Sequence, residues 1–227
     1  MIVVLLGPPG AGKGTQGVLL AQRLEMPYLA SGEIFRRAIA ANDSVGQRVR
    51  QYVERGFLVP DDITVQVVLE YLDQPAADAG VILDGFPRTK PQAKALDQAL
   101  AERERKVDHA LALHVPTDVL VPRLSGRWLC PRCAAVYHTL TKPPEQPGCC
   151  DVCGAALYQR VDDQPDRVER RLWVHQENTL PVVSYYRQRK VLHEIDGNQP
   201  VPAVTAALLA ALQPSQRDAP TELPSQA

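Results

Sequence analysis

The chain has no excess of charge of one sign. Its 25 Lys and Arg stand against 26 Asp and Glu in 227 residues. That balance leaves no global basic field for nucleic acid and no acidic bias. Long apolar runs are missing too. The leading stretch 1–6 is far short of the ~20 residues that cross a bilayer. It has neither a charged n-region nor a small-residue cleavage site, so it does not read as a secretory leader. A cytoplasmic protein with no membrane attachment is the expectation. No internal repeat or heptad is present, so nothing suggests a solenoid or a coiled coil. Lysine is scarce, 6 residues against 19 Arg, and arginine is the better bidentate partner for phosphate. Cysteine is absent outside 130–153, where all five cluster. Clustering of that kind points to a metal rather than to a disulfide framework.

What the sequence does hold begins at the front. Gly7-Pro8-Pro9-Gly10-Ala11-Gly12-Lys13-Gly14-Thr15-Gln16 follows the apolar run and opens onto a helical pattern. Strand, glycine-rich loop and helix in that order form a phosphate cradle. Glycines let successive N–H groups converge on one point, and the helix start adds its positive dipole end. Lys13 can reach the β- and γ-phosphates of a nucleoside triphosphate. Gly14 stands where the general pattern has Ser or Thr, with Thr15 one place later, so the usual hydroxyl contact to Mg²⁺ is displaced.

Four apolar runs (2–6, 81–83, 110–115 and 191–195) and a short fifth at 27–30 alternate with helical patterns. This alternation predicts an α/β fold with a doubly wound parallel sheet. Helices are expected at 32–41 with Ser31 as N-cap, 45–55 capped by Asp43 or Ser44, 61–72, 92–103 after Thr89 and Pro91, 117–125, from about 163 onward with a kink or break at Pro181, and 203–212. Residues 214–227 hold Pro, Ser, Gln and Asp among other residues, with little apolar content, and read as a disordered tail.

Several constellations carry chemistry. Strand 81–83 ends in Asp84, which beside a phosphate loop would help hold Mg²⁺, often through water. Gly85-Phe86-Pro87-Arg88 follows at once, so Arg88 faces the same crevice as Lys13. Arg123 and Arg127 are spaced i,i+4, as are Arg167 and Arg171, while Arg167 and Arg170 read as a solvated face. Cys130-Pro131-Arg132-Cys133 and Cys150-Asp151-Val152-Cys153 are two C-x-x-C knuckles sixteen residues apart. Four thiolates so spaced make a closed tetrahedral Zn²⁺ site, structural rather than catalytic. Cys149 is a spare thiol, and His138 reads as an exposed polar residue.

Together these motifs make the chain resemble bacterial adenylate kinase in its long, zinc-lidded form. The resemblance runs from 1 to about 212: GPPGAGKGTQ, SGEIFRR at 31–37, GFLVPDD at 56–62, LDGFPRT at 83–89, SGRWLC at 125–130, YQRVDDQPD at 158–166 and DGNQPV at 196–201. It implies a P-loop nucleoside monophosphate kinase with a five-stranded parallel sheet flanked by helices. The CORE would be 1–29, 60–125 and 164–213, with a helical AMP-binding lobe at 30–59 and a zinc-bearing LID at 126–163.

The reaction it implies is ATP + AMP ⇌ 2 ADP with Mg²⁺, on a monomer that takes no nucleic acid or membrane. The implied ATP site is the backbone of Gly10, Ala11, Gly12, Lys13, Gly14 and Thr15, with Arg123, Arg127, Val136, Tyr137 and Gln199. The implied AMP site is Ser31, Arg36, Phe57, Leu58, Val59, Gly85, Phe86, Pro87, Arg88 and Gln92, with Arg160 and Arg171 from the lid side. Lys13, Arg88, Arg123, Arg127, Arg160 and Arg171 would surround the transferring phosphoryl group.

Three positions depart from the family's usual residues: Ser31 for Thr, Glu33 for Asp and Gln199 for Lys. The nearest alternative is another nucleoside monophosphate kinase, with UMP or CMP as acceptor or GTP as donor. Gln92 favours adenine over these, because its amide both donates and accepts. A zinc-ribbon binding module on an inactive P-loop scaffold is the non-enzyme alternative, and the intact arginine set argues against it.

Overall fold

The computed structural model describes residues 1–213; the tail expected at 214–227 lies outside the described residues. The strands in chain order are β1 (Ile2–Leu6), β2 (Tyr28–Ala30), β3 (Val81–Asp84), β4 (His109–His114), β5 (Arg127–Leu129), β6 (Val136–His138) and β7 (Leu192–Asp196). The helices are α1 (Lys13–Leu24), α2 (Ser31–Ala41), α3 (Ser44–Arg55), α4 (Asp61–Leu72), α5 (Lys90–Ala101), α6 (Thr117–Ser125), α7 (Pro165–Val174), α8 (Leu180–Gln188) and α9 (Val201–Leu212).

Five strands form one parallel sheet in the order β2-β3-β1-β4-β7. All five residues of β1 are buried, as expected of a central strand covered on both faces. Alternate residues serve opposite layers. Ile2, Val4 and Leu6 pack with Leu83, Phe86, Leu96 and Tyr186, whereas Val3 and Leu5 pack with Leu20, Ile82, Leu111 and Leu208. From β1 the chain crosses first to the β2–β3 side and later to the β4–β7 side. A crevice therefore opens beyond the carboxyl end of β1.

Two groups of elements stand outside this sandwich. Helices α2 and α3 close on a small core of Phe35, Val49, Val59 and Ile63. The cysteine segment holds the antiparallel pair β5–β6.

Helix starts differ from expectation in informative ways. Ser31 does not cap α2; it is the helix's first residue, and Ala30 precedes it in extended conformation. Strand β2 runs into the helix with no linker, and the Ser31 hydroxyl turns across to donate to the Gly85 carbonyl at 2.8 Å. Asp43 does cap α3, accepting from the Gly46 N–H at 2.7 Å. Thr89 caps α5, which begins at Lys90, two residues earlier than expected. Pro181 falls in the first turn of α8, and the disturbance lies ahead of it as a π-helical turn over His175–Thr179. A proline cannot supply the N–H its helix needs, and the widened turn absorbs that loss.

Candidate active site

The phosphate loop joins β1 to α1 with Gly7, Gly10 and Gly12 at φ of 135°, 83° and 93°. At Gly7 a Cβ would lie 2.6 Å from the Leu113 carbonyl oxygen, so the loop leaves the sheet only with a glycine there. Lys13 folds back over this loop and donates to the carbonyls of Gly7 (2.7 Å) and Pro8 (2.9 Å). Burial lowers its ammonium to about 8, with Arg88, Arg171 and Arg127 pushing the same way and Asp84 opposing them. A phosphate arriving here meets a cation that is poorly solvated and held by carbonyls it can leave.

A cleft of about 2320 Å³ spreads from this loop between α2–α3 and the cysteine segment. Lys13, Arg36, Arg88, Arg123, Arg127, Arg160 and Arg171 all line it, with the 10–15 loop, Leu58, Asp84, Gly85, Pro87, Val136, Tyr137 and Gln199. Ser31, Phe57, Val59, Phe86 and Gln92 are not in its wall. Val59 and Phe86 are core residues. The Phe57 ring carries the Arg170 guanidinium at 5.2 Å, so Arg170 is engaged rather than simply solvated. Gln92 is 1 % exposed. Its carbonyl accepts from the Arg88 N–H (2.7 Å) and its amide donates to Asp61 (2.7 Å), so it braces the Arg88 loop from behind. Tyr137 is buried, and its hydroxyl faces the Cys150 thiol at 3.4 Å and accepts from the Asp151 N–H.

The arginines are held by acids that sequence reasoning passed over. Asp163, fully buried, accepts two bonds from Arg127 (2.8 and 2.6 Å) and one from Arg171 (2.8 Å). Arg171 also reaches Asp162 at 3.1 Å. Burial alone would raise the Asp162 carboxyl, yet Arg171, Arg36, Arg160 and Arg127 hold it below the usual range. Glu33 bridges Arg36 (3.3 Å) and Arg160 (3.5 Å), and the Arg160 Nε is buried with no partner among the described residues. Arg123 donates to Asn198 at 2.9 Å.

His175, which begins the π turn, also lines the cleft, and nothing in its sequence context marks it. Burial, then Lys13 and Arg88, drive its imidazole down to about 3, so it is neutral. From the same turn the Thr179 hydroxyl donates to the Arg88 carbonyl at 3.1 Å.

The four knuckle thiols converge. Cys130 and Cys153 sulfurs are 3.3 Å apart, Cys133 and Cys150 3.5 Å, and Cys133 and Cys153 3.7 Å. All four lie within 4.8 Å of one another. Sulfurs on a tetrahedron with Zn–S of about 2.3 Å stand a little under 4 Å apart, so the set fits such an ion closely. His138 takes no part. Its Nδ1 accepts from the N–H of Leu140 and Thr141, which leaves Nε2 to donate to the Pro122 carbonyl at 3.0 Å.

Comparison with known proteins agrees with this geometry. The sequence model of the family described as "Adenylate kinase" matches residues 5–191. A curated adenylate kinase of Moorella thermoacetica is 49% identical over 212 residues, covering 93% of this chain and 98% of its own. One from Syntrophomonas wolfei is 47% identical, covering 88% and 93%. One from Archaeoglobus fulgidus is 40% identical, covering 94% and 98%.

Proposed function

The chain belongs to the adenylate kinase family, a family of nucleoside monophosphate kinases. On that premise we propose that its cleft interconverts ATP and AMP with two ADP by direct phosphoryl transfer. The observation that carries the reading is the gathering of Lys13 and Arg36, Arg88, Arg123, Arg127, Arg160 and Arg171 around one phosphate loop.

ATP lies along the N–H groups of Gly10 to Thr15, with Lys13 on its phosphates and Arg123 and Arg127 beside them. Val136, Tyr137 and the backbone near Gln199 border its adenine. AMP lies under α2–α3, with Arg36 and Arg88 on its phosphate. Gln92 reads the adenine edge only by exchanging a present partner, Asp61 or the Arg88 N–H, for the base. Arg160 reaches over from the LID, residues 126–163, and Arg171 from α7 on the lid side, while the helical lobe 30–59 closes from the other side of the CORE.

The AMP phosphate is already an anionic nucleophile, so no general base is needed. Catalysis is positioning and charge neutralisation. Asp84 is the carboxylate of the cleft wall that would help hold Mg²⁺, which neutralises the β- and γ-phosphate oxygens when bound. The four thiols would hold Zn²⁺ with no open position, so that ion organises the LID and takes no part in transfer. No described helix is long and apolar enough to cross a membrane. We read the protein as a cytoplasmic monomer whose partners are its nucleotides.

An ADP-forming assay with AMP, UMP and CMP as competing acceptors tests the reaction. AMP is the expected acceptor; preference for a pyrimidine would replace the reading with its nearest rival. Lys13→Ala is expected to lower turnover by at least ~100-fold while the fold persists. Turnover near that of the unaltered protein would remove Lys13 from the mechanism.

A further inference from the structure

Asp84 ends β3 beside the phosphate loop, close enough to Lys13 and Arg88 to favour the charged form of both. It nevertheless makes no ion pair with either among the described residues. Its Oδ2 is taken by the Tyr28 hydroxyl at 2.6 Å. No described hydrogen bond reaches its Oδ1.

The pairing follows from the sheet. Tyr28 lies opposite Ile82 in the β2–β3 register and Ala30 lies opposite Asp84. Tyr28 and Asp84 are thus diagonal neighbours on one face, and a long aromatic side chain spans that gap. The ring lies on α1 at Gly17, where a Cβ would fall 2.2 Å from Tyr28 Cε2. The hydroxyl ends 3.7 Å from where a Cβ on Gly14 would sit. Burial, reinforced by Asp84, pushes the phenol well above its usual range, so it stays a donor.

We propose that Tyr28 is a positioning residue for the transfer. Its hydroxyl fastens one oxygen of Asp84, holds the carboxylate off Lys13 and Arg88, and leaves the other oxygen free for the water shell of the nucleotide's Mg²⁺. Gly17 is glycine to seat the ring. Without the tether, Asp84 swings onto the cations, and both the carboxylate and the phosphate-binding charges are quenched together. The inference rests on the reading of Asp84 as the metal-associated acid.

Mn²⁺ binding to the ATP complex, followed by electron paramagnetic resonance, is the test, with ATP binding in the absence of metal as its control. Tyr28→Phe keeps the ring and removes the hydroxyl. It is expected to weaken Mn²⁺ binding roughly 10-fold, the lower end for loss of an outer-shell partner. Its melting temperature and KM for AMP should stay unchanged while kcat falls. Gly17→Ala, a change a helix otherwise favours, should reproduce the loss by displacing the ring, and the double variant should be no worse than either.

Wild-type Mn²⁺ affinity in Tyr28→Phe, or strictly additive losses in the double variant, would overturn the proposal. Asp84→Asn, measured alongside, separates the two failures. If it weakens Mn²⁺ binding and Tyr28→Phe does not, only the role of Tyr28 falls. If neither does, the reading of Asp84 falls with it.

Discussion

Two lobes rise from one sheet, and they are held together by different physics. The α2–α3 lobe has an apolar core closed by α4: Phe35, Val49, Val59 and Ile63, with Ile39, Val45, Tyr52, Val53 and Val67 packed against it. Asp43 caps the start of α3, and Gly56 ends it at φ 77°. The cysteine segment has two three-residue strands and a smaller cluster of Cys130, Tyr137 and Cys150, with Trp128, Ala135, Cys153, Ala155 and Leu157 against it. Two of its three anchors are thiols of the four-cysteine set that fits Zn²⁺. A segment that buries so little apolar surface cannot offset the entropy of ordering its backbone. The first lobe is therefore held by packing, and on the proposed reading of the four thiols the second is conditional on an ion. The lobes meet where Glu33 reaches Arg160.

Stripping the metal should give the largest effect and should act on one lobe only. Structural zinc contributes ~10–16 kcal/mol in small zinc domains near neutral pH. A strong chelator, or Cys153→Ala, is expected to produce an early melting phase and rapid proteolysis within 130–157. Much of the low-temperature activity should remain, because no step uses the ion. A chelated protein that melts in one unshifted transition would show that the lobes do not differ in this way. Phe35→Ala is the mirror experiment, with an expected loss of ~3–5 kcal/mol for an aromatic core residue. Its destabilisation should be the same with and without chelator; any coupling between the two would mean that the lobes share a core.

A third perturbation belongs to neither lobe. His175 has a folded pKa of about 3 against ~6.5 in the unfolded chain. The unfolded state therefore takes up the extra proton between those values. The stability linked to this group is full above about pH 6.5 and is lost as pH falls toward 3. Urea titrations should show a slope near 1.4 kcal/mol per pH unit from this one proton. His175→Gln should flatten that slope and leave the chelator response unchanged.

Glu33→Gln is the smallest change. The pairs it breaks are partly exposed and worth no more than ~1 kcal/mol of stability. Its signature is specific all the same: freed of Glu33, Arg36 and Arg160 should lower the KM for AMP more than that for ATP. Equal shifts in both would mean that Glu33 does not sit at the seam between the lobes.

Most of the fold was legible in the sequence because each strand and helix carries local signals. Parallel strands read as apolar runs, Asp43 and Thr89 cap as their types predict, and the phosphate loop is written in consecutive residues. Tertiary decisions were not legible. Ser31 looks like a cap until the Gly85 loop is folded beside it. The break expected at Pro181 became a π turn beginning six residues earlier, where His175 and Thr179 face the cleft. The arginines were visible, but their keepers were not. Asp163 reads as a helix start, yet it holds both Arg127 and Arg171, and Asp162 pairs with Arg171 beside it. The Tyr28–Asp84 bond joins residues 56 apart in sequence, and no spacing rule reaches so far. Tyr137, expected beside the adenine, has its hydroxyl turned to the knuckles because its neighbours supply no other core.

At the base of the LID, Leu129 and Tyr158 exchange both backbone hydrogen bonds at 2.9 Å. The chain thus leaves α6 and returns toward α7 through a backbone clasp, with Arg127 just before it and Arg160 and Asp163 just after. Residues 130–157 form a cassette beyond that clasp, also stitched below it where His138 reaches the Pro122 carbonyl and the Thr139 N–H donates to the Gly126 carbonyl. A tip of different make, grafted between residues 129 and 158, should therefore leave the Arg127–Asp163 pair in place.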